Sequence, residues 1–411
     1  MATENNNKTL NVPNKREQSQ TCLGYTERKE QSPQGNVPNL RFPEFSGEWT
    51  KTLLNNYLEE NKERNKRGIF TKNHVLSVSG DSGIVNQIEL LGRSFAGKSV
   101  LDYHVVRTGN IVYTKSPLKE YPYGIVKVNG GVDGIVSTLY AVYKVKETAN
   151  GEFVEYYFGL PNRTNRYFKP IVRIGAKHDM KIGNNEVLAN YVVFPCVDEQ
   201  KRISDFIGLL DERIATQIKI IEKLESLIKG LCSSLFDENK YDSFVRLGDI
   251  SEITNGNSDV QDALLSYSDG MYPFFDRSED IKFLPEYLLD KEAIIYPGEG
   301  SEFYPRYYNG KFALHQRCYA IYDISPNFAP RYLYYFCKTQ NSYFVRNAVG
   351  STVASLRLDT FKRLNIPNTP IDIQKAYVQL LDKIESKIID NKTILKKYEE
   401  QKKYLLSNLF I

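Results

Sequence analysis

Apolar residues recur at alternating steps of four and three positions between Glu199 and Phe236. This interval contains no proline, and its two glycines lie off the apolar positions. Such a period predicts one long helix that packs along a single seam, as in a coiled coil. The seam consists of Ile203, Ile207, Leu210, Ile214, Gln217, Ile221, Leu224, Ile228, Leu231 and Leu235, and Gln217 is its only polar member.

The same pattern returns 174 positions later and predicts a second helix. Its seam consists of Tyr377, Leu381, Ile384, Ile388, Asn391, Leu395, Tyr398, Lys402, Leu405 and Leu409. The flanking residues repeat as well: Gln200-Lys201 and Leu235-Phe236 return as Gln374-Lys375 and Leu409-Phe410. The chain is therefore predicted to contain an internal repeat of one globular segment followed by one helix.

The segments before the two helices alternate apolar and polar residues between glycine and Asp/Asn turns, as in "YHVVRTGNIVYTK" and "GIVSTLYAVYKVK", which is typical of strands. The predicted fold class is α+β, with two pseudo-symmetric globular domains separated by an antiparallel coiled coil of two long helices. The predicted segments are a disordered polar tail (1–40), a first globular domain (41–197), a first helix (198–237), a second globular domain (238–370) and a second helix (371–411).

Gln217 and Asn391 occupy equivalent positions near the middle of the two predicted helices. In an antiparallel pair with approximate two-fold symmetry, equivalent mid-helix residues approach each other. The pattern therefore predicts that the two side-chain amides hydrogen-bond across an apolar seam, where one buried polar position can fix the register. The alternative is that fraying or rotation of the helices lets both amides reach water.

Composition and charge add little that is specific. The 29 tyrosines and 21 phenylalanines suit buried strands first and a recognition surface second, and the net charge of +4 is compatible with a nucleic-acid partner without requiring one. The five cysteines show no C-x-x-C spacing, which predicts reduced thiols in a cytoplasmic protein. No apolar run approaches the roughly 18 residues of a membrane span, so no membrane association is expected.

The stretch "GRSFAGKS" (Gly92–Ser99) fits the phosphate-loop pattern G-x-x-x-x-G-K-[ST]. A phosphate loop needs a helix directly after it, whereas the residues after Ser99 show no helical apolar period. The candidate acidic partner for magnesium, Asp211-Glu212, falls inside the predicted first helix, whereas a magnesium-binding Asp belongs at a strand end. The four histidines share no metal-ligand spacing, and neither a G-x-S-x-G elbow nor an N-P-P-[YF] motif occurs. We therefore predict no metal site and no catalytic residues in this chain.

Several segments resemble the DNA-specificity subunits of Type I restriction–modification systems. Each globular domain opens with such a segment, "NVPNLRFPEFSGEW" in the first and "FVRLGDISEITNG" in the second. Further segments are "DYHVVRTGNIVYTKSP" and "GSTVASLRLDTFKRLNIPNTP". The most specific are "DEQKRISDFIGLLDERI" leading to "SSLF", and "DIQKAYVQLLDKIESKI" leading to "SNLF". The resemblance covers nearly everything after the polar tail.

The resemblance implies a non-catalytic subunit whose two globular domains are target-recognition domains, each reading one half of a split sequence in double-stranded DNA. The helices would space these domains and bind two methyltransferase subunits, which carry S-adenosylmethionine. For cleavage, up to two restriction/translocase subunits would add ATP and Mg²⁺. No cofactor is expected in this chain itself. The alternatives are a P-loop protein that binds nucleotide through Gly92–Ser99 and a coiled-coil scaffold that binds no DNA.

Candidate DNA contacts are side chains that offer paired donors or acceptors to base edges, together with basic and hydroxyl groups for phosphates. In the first domain they are Lys115, Ser116, Tyr121, Tyr123, Arg163, Asn165, Arg166 and Lys169. In the second they are Arg306, Tyr307, Lys311, Gln316, Arg317, Ser351 and Thr352.

Overall fold

The strand-rich segments before the two long helices fold into small, mostly antiparallel sheets. The computed structural model of the protein describes residues 35–97, 99–174 and 180–411. The predicted polar tail therefore lies almost entirely outside the described residues. The chain divides into two compact units: the first runs up to Asp205 and includes Leu405–Ile411, and the second is Phe206–Tyr404.

The first unit is built on a four-stranded antiparallel sheet. The strands of the whole first unit are β1 (Thr50–Leu53), β2 (Leu58–Glu60), β3 (Leu76–Ser79), β4 (Gly83–Asn86), β5 (His104–Val106), β6 (Ile111–Tyr113), β7 (Val126–Val128), β8 (Gly134–Val136), β9 (Ala141–Val145), β10 (Arg173–Ile174), β11 (Met180–Lys181) and β12 (Tyr191–Phe194). Its short helices are α1 (Gln87–Leu91), α2 (Gly151–Tyr157), α3 (Pro161–Phe168) and α4 (Asn184–Val187). The order of the four-stranded sheet is β2-β9-β6-β7, and its inner strand β6 is buried along its whole length, so both faces of the sheet are covered at this strand.

The second unit contains a larger, mixed sheet. Its strands are β13 (Phe244–Arg246), β14 (Glu252–Asn255), β15 (Tyr272–Phe275), β16 (Lys282–Leu284), β17 (Leu289–Pro297), β18 (Arg306–Leu314), β19 (Cys318–Tyr322) and β20 (Asn365–Pro367). Six of them pair in the order β14-β19-β17-β18-β15-β16, in which only β15 and β18 run parallel. After the long helix α5 (Val197–Leu235), the short helices are α6 (Leu247–Ile250), α7 (Pro330–Thr339), α8 (Asn341–Asn347) and α9 (Leu358–Lys362).

The long helices are α5 and α10 (Ile371–Asn408), and their ends lie within three residues of those expected from the apolar seam. All ten seam positions of each helix are buried or half-buried. Within the second unit the two helices run antiparallel, because Asp211 pairs with Lys402 and Phe236 packs against Tyr377. The α+β fold with two long helices is confirmed.

The predicted amide contact is present at the middle of the seam. Gln217 Nε2 donates to Asn391 Oδ1 at 2.5 Å and to the Asn391 carbonyl oxygen at 3.2 Å. Gln217 is only 8% exposed, so its side of this bond is largely shielded from water. The alternative, in which both amides turn to water, is not what the structure shows.

Each unit places the same pair of features at the start of its long helix. A strand near the beginning of the unit pairs with the strand just before the helix, β1 with β12 and β13 with β20. The repeated glutamine, Gln200 or Gln374, is fully buried. The Gln374 amide accepts from the N–H of Ala329 and donates to the carbonyls of Asn327 and Thr369. Gln200 makes the equivalent three contacts in the first unit. The repeat seen in sequence is therefore a repeat of hydrogen bonds.

The first unit is completed by residues 405–411. The Phe410 ring packs against Phe153 and Tyr157, with centroids 5.0 and 6.3 Å apart. The Asn408 carbonyl oxygen accepts a hydrogen bond from the N–H of Leu40 at 2.9 Å. These contacts place the end of α10 in the core of the unit that begins near residue 35.

Candidate nucleic-acid interface

The turn between β18 and β19 presents two of the predicted contacts, Gln316 and Arg317, as exposed neighbours. A hydrogen bond from the N–H of Cys318 to the carbonyl of His315, at 2.8 Å, closes the turn. The N–H of Gln316 also donates to the carbonyl of Ser258 at 3.0 Å. The backbone that carries the two side chains is therefore fixed by its neighbours.

Two glycines allow the neighbouring loops to approach this turn. A Cβ at Gly256 would lie 2.0 Å from the carbonyl oxygen of Leu314, and a Cβ at Gly298 would lie 2.0 Å from that of Arg317. Real Cβ atoms do not come so close to a backbone oxygen, so these positions require glycine as the loops stand. The close approach brings Glu299, which follows the second glycine, beside the turn.

A third loop joins the same edge of the unit. Glu299 forms an isolated backbone bridge with Ser355, and the N–H of Gly300 donates to the carbonyl of Ala354 at 3.0 Å. This loop carries the predicted contacts Ser351 and Thr352, both exposed. We call the four segments 255–259, 298–301, 315–317 and 350–355 the second-unit rim.

Acidic side chains hold both exposed residues of the turn. Nη1 of Arg317 contacts both carboxylate oxygens of Glu299, at 2.7 and 2.9 Å. The Gln316 amide donates to Oδ2 of Asp259 at 3.2 Å. The rim thus presents two side chains capable of paired hydrogen bonds, each steadied by a carboxylate from a neighbouring loop.

The other predicted contacts of the second unit lie elsewhere. Lys311 is exposed on β18 above the rings of Tyr272 and Tyr287, at 5.9 and 4.9 Å from their centroids. Arg306 and Tyr307 stand at the opposite end of β18 from the turn. Arg306 donates to main-chain carbonyls and its pKa is lowered by burial, while the Tyr307 hydroxyl bonds Glu292. These contacts favour a structural role for Arg306 and Tyr307, in which they stabilise the sheet, and they do not favour the predicted contact with DNA.

The predicted contacts of the first unit before Gly124 are largely engaged inside the unit. Lys115 Nζ donates to the carbonyl of Ile182 at 3.1 Å, and burial lowers the pKa of this amine. The Tyr121 hydroxyl donates to the carbonyl of Gly159 at 2.7 Å. Ser116 and Tyr123 are half-buried in the same loop. Because Lys115 and Tyr121 already donate hydrogen bonds to these carbonyls, these contacts favour a role in stabilising this loop.

The remaining predicted contacts of the first unit lie in helix α3 or directly after it. Arg163 is 8% exposed and donates to the carbonyls of Tyr157 and Leu406, both at 3.1 Å. Burial lowers the pKa of its guanidinium to about 10, and these contacts favour a structural role over the predicted DNA contact. Asn165 is half-buried, and its Oδ1 has no hydrogen-bond partner among the described residues. Arg166 and Lys169 are exposed and stay candidates for phosphate contacts.

The phosphate-loop match has no supporting structure. Helix α1 ends at Leu91 and is capped by Gly92, the first residue of the motif, which adopts a left-handed conformation (φ +74°), so the helix precedes the motif. From Gly92 to the start of β5 the described residues contain no helix, and Lys98 lies outside them. Across 35–97, 99–174 and 180–411, no group of three or more His, Cys, Asp or Glu side chains is placed to hold a metal ion. In the same ranges no helix has the length and apolar character that a bilayer crossing requires.

Comparison with known families identifies the second half of the chain. Residues 240–400 match the family model described as the Type I restriction modification DNA specificity domain. This segment is similar to that domain family. The resemblance seen in the sequence is therefore confirmed, and the match spans the whole second-unit rim. A search of curated protein sequences found no match.

Solved structures extend the likeness in fold to most of the chain. A Type I restriction–modification S subunit from M. genitalium has a TM-score of 0.61 and 14% identity, covering 91% of this chain and 99% of its own. A chain from a study of complex assembly and conformational transition in the type I R-M system has a TM-score of 0.51 and 15% identity, covering 88% and 97%. At these identities the likeness concerns the fold alone.

Sequence reasoning missed the acidic residues that position the exposed side chains of the second-unit rim. Asp259 and Glu299 were not predicted, because a carboxylate alone gives no sign of facing DNA. A usable signal was present in the glycines, since Glu299 directly follows Gly298 and Asp259 stands three residues after Gly256. Glycines that allow close backbone approach mark the loops that meet the turn between β18 and β19.

Proposed function

We propose that the chain is the non-catalytic DNA sequence-specificity subunit of a Type I restriction–modification complex. The observation that carries this proposal is the match of residues 240–400 to the specificity-domain family. The first unit repeats the strand pair, the buried glutamine and the long helix of the second. Each unit then reads one half of a split double-stranded DNA target.

The second-unit rim supplies suitable chemistry for reading DNA. Arginine and glutamine side chains recognise base edges through paired hydrogen bonds, and small hydroxyl groups bind phosphate oxygens. The rim exposes Gln316 and Arg317 beside Ser351 and Thr352. In the first unit, the exposed Arg166 and Lys169 are suited to phosphate contacts.

The two long helices recruit the catalytic partners in this proposal. Apolar side chains outside the seam remain exposed on both helices, and a partner subunit would cover them. They include Leu209, Ile218, Ile220, Leu227, Leu380, Ile389 and Ile394. Two methyltransferase subunits bring S-adenosylmethionine, and up to two restriction/translocase subunits bring ATP and Mg²⁺ to the cytoplasmic complex. The spacing between the two half-targets then depends on the helix pair.

An exchange of recognition units tests the proposal. Residues 41–197 are replaced by the first unit of another specificity subunit, and the methylated sequences are mapped in cells that also make the methyltransferase subunits. One half of the split sequence should change while the other half is retained. The matched control, exchange of residues 238–370, should change the opposite half. A change of both halves in either exchange would contradict the assignment of one unit to each half.

A mobility-shift assay separates this function from that of a scaffold. The full-length chain, assembled with methyltransferase subunits, should retard duplexes that contain the mapped sequence more strongly than duplexes with one half scrambled. If the assembled complex retards neither duplex, the chain is a scaffold without DNA binding.

A further inference from the structure

The contact between Arg317 and Glu299 has an uneven geometry. A single guanidinium nitrogen, Nη1, contacts both carboxylate oxygens, at 2.7 and 2.9 Å. The Arg317 side chain is 62% exposed, whereas that of Glu299 is 18% exposed. The glutamate is therefore the fixed member of the pair. The edge of the guanidinium formed by Nε and Nη2 is not used by the glutamate.

The backbones of both residues are held in place. The Arg317 carbonyl lies against Gly298, whose missing side chain permits the contact. Glu299 is bridged to Ser355, and the Ser355 hydroxyl lies 3.5 Å from its Oε1. A long arginine side chain on an exposed turn normally samples many rotamers, and the fixed carboxylate restricts this freedom. The neighbouring Gln316 is steadied by Asp259 in a similar way.

We propose that Arg317 reads a guanine in the half-target of the second unit, with Glu299 as its positioning residue. Guanine presents O6 and N7 side by side in the major groove, and an arginine binds both with two parallel N–H donors. Nε and Nη2 form such a pair of donors while Nη1 stays on Glu299. This inference rests on the proposed function, because it assigns one base contact within that function.

The carboxylate also distinguishes base reading from simple phosphate binding. A phosphate contact draws on the net positive charge of the side chain, and Glu299 neutralises much of that charge at short range. A guanine contact depends instead on the direction of the two donors, which Glu299 improves. An arginine held by a carboxylate is therefore better suited to a base edge than to the DNA backbone.

The test uses the full-length chain assembled with its methyltransferase subunits. Methylation rates are measured on duplexes that carry the mapped target and on duplexes substituted at each base pair of both half-targets. The variants are Arg317→Ala, Arg317→Lys and Glu299→Gln. The matched control is Arg363→Ala, which removes another exposed, ion-paired arginine of the same unit.

The parent complex should require guanine at one position of the second half-target. In Arg317→Ala, discrimination against the other bases there should fall by about tenfold to a hundredfold, while other positions keep theirs. Arg317→Lys should lose most of the same discrimination, because lysine keeps the charge but lacks the paired donors. Glu299→Gln should lose a smaller part of this base discrimination than either Arg317 variant. Arg363→Ala should stay within about twofold of the parent at every position, as expected for an exposed ion pair.

Two results would overturn the inference and leave the proposed function intact. One is an unchanged base preference at every position in Arg317→Ala. The other is a uniform loss of binding across all sequences, with a salt slope lowered by about one, which identifies a phosphate contact. If Arg317→Ala does not assemble, Arg317→Lys decides by the same criterion. A parent complex that methylates no split sequence would overturn the proposed function and this assignment with it.

Discussion

Replacing Gln217 and Asn391 together by leucine should stabilise the helix pair while weakening its register. The Gln217 amide donates to Asn391 Oδ1 and to the Asn391 carbonyl oxygen, and Asn391 Nδ2 donates within its own helix to Lys387. Two hydrogen bonds therefore join the helices at this point. Each contributes about 1 kcal/mol net, because the unfolded chain bonds to water instead.

The leucine side chains outweigh that loss. Full burial of a leucine contributes about 1.5–3 kcal/mol, and the Gln217 position is 8% exposed, so this site supplies nearly the full amount. The half-buried Asn391 position supplies about half as much. The double variant should be more stable by about 1–2 kcal/mol, which corresponds to roughly 2–8 °C in Tm for a unit of this size.

The single variants make the prediction sharper. Gln217→Leu alone leaves Asn391 Oδ1 facing an apolar side chain, and a polar group deprived of its partner costs about 1–3 kcal/mol. The two substitutions should therefore be non-additive, with a coupling of at least about 1 kcal/mol in a double-mutant cycle. The assay is denaturant unfolding of the full-length parent, both single variants and the double variant.

Register is measured separately, in the assembled methyltransferase. Without the amide pair the middle of the seam no longer carries a polar contact that opposes a shift of one helix along the other, so the double variant should methylate targets whose spacer is one base pair longer or shorter. Additive free energies within about 0.5 kcal/mol would refute the claim that the amides interact. An unchanged spacer preference would refute the claim that their contact sets the register.

Three further predictions concern other parts of the chain. Lys98→Ala should leave methylation by the assembled complex within a few-fold of the parent, and nucleotide binding by the purified chain together with loss of activity in this variant would restore the phosphate-loop hypothesis. Gln374→Ala should destabilise the second unit by about 2–4 kcal/mol, because three main-chain groups lose the partner that the fully buried Gln374 amide supplies, whereas Gln401→Ala, exposed on the same helix, should change Tm little. DNA binding by the complex should weaken with a slope of about 0.9 in log K per log salt for each phosphate contacted, and a salt-independent affinity would contradict the phosphate contacts.

The long helices could be predicted from sequence because their signal is local and repeated. Every turn of α5 and α10 places a residue on the seam, so one misleading position does not shift the boundaries. The offset of 174 positions also placed Gln217 opposite Asn391, and this long-range contact followed from symmetry alone. A contact of this kind is predictable when both partners belong to one repeated pattern.

The side-chain roles at the interface were less predictable. Arg163 has the residue type of a DNA contact, but it donates to the Leu406 carbonyl, which comes 243 positions later in the chain. Lys115 is similarly held by the Ile182 carbonyl. Nothing within the neighbouring sequence of either residue indicates these partners. Residue type therefore predicts a DNA contact for Arg317 and Arg163 equally, and only the fold shows that Arg163 is buried and Arg317 is exposed.

The inclusion of residues 405–411 in the first unit has a consequence for synthesis on the ribosome. About 200 residues separate Asp205 from Leu405, and at 5–20 residues per second their translation takes roughly 10–40 s. Throughout this interval the site that receives Phe410, beside Phe153 and Tyr157, stays uncovered on the nascent chain. The part of the protein that is made first is therefore among the last to be completed, and chaperones have a long period in which to bind it.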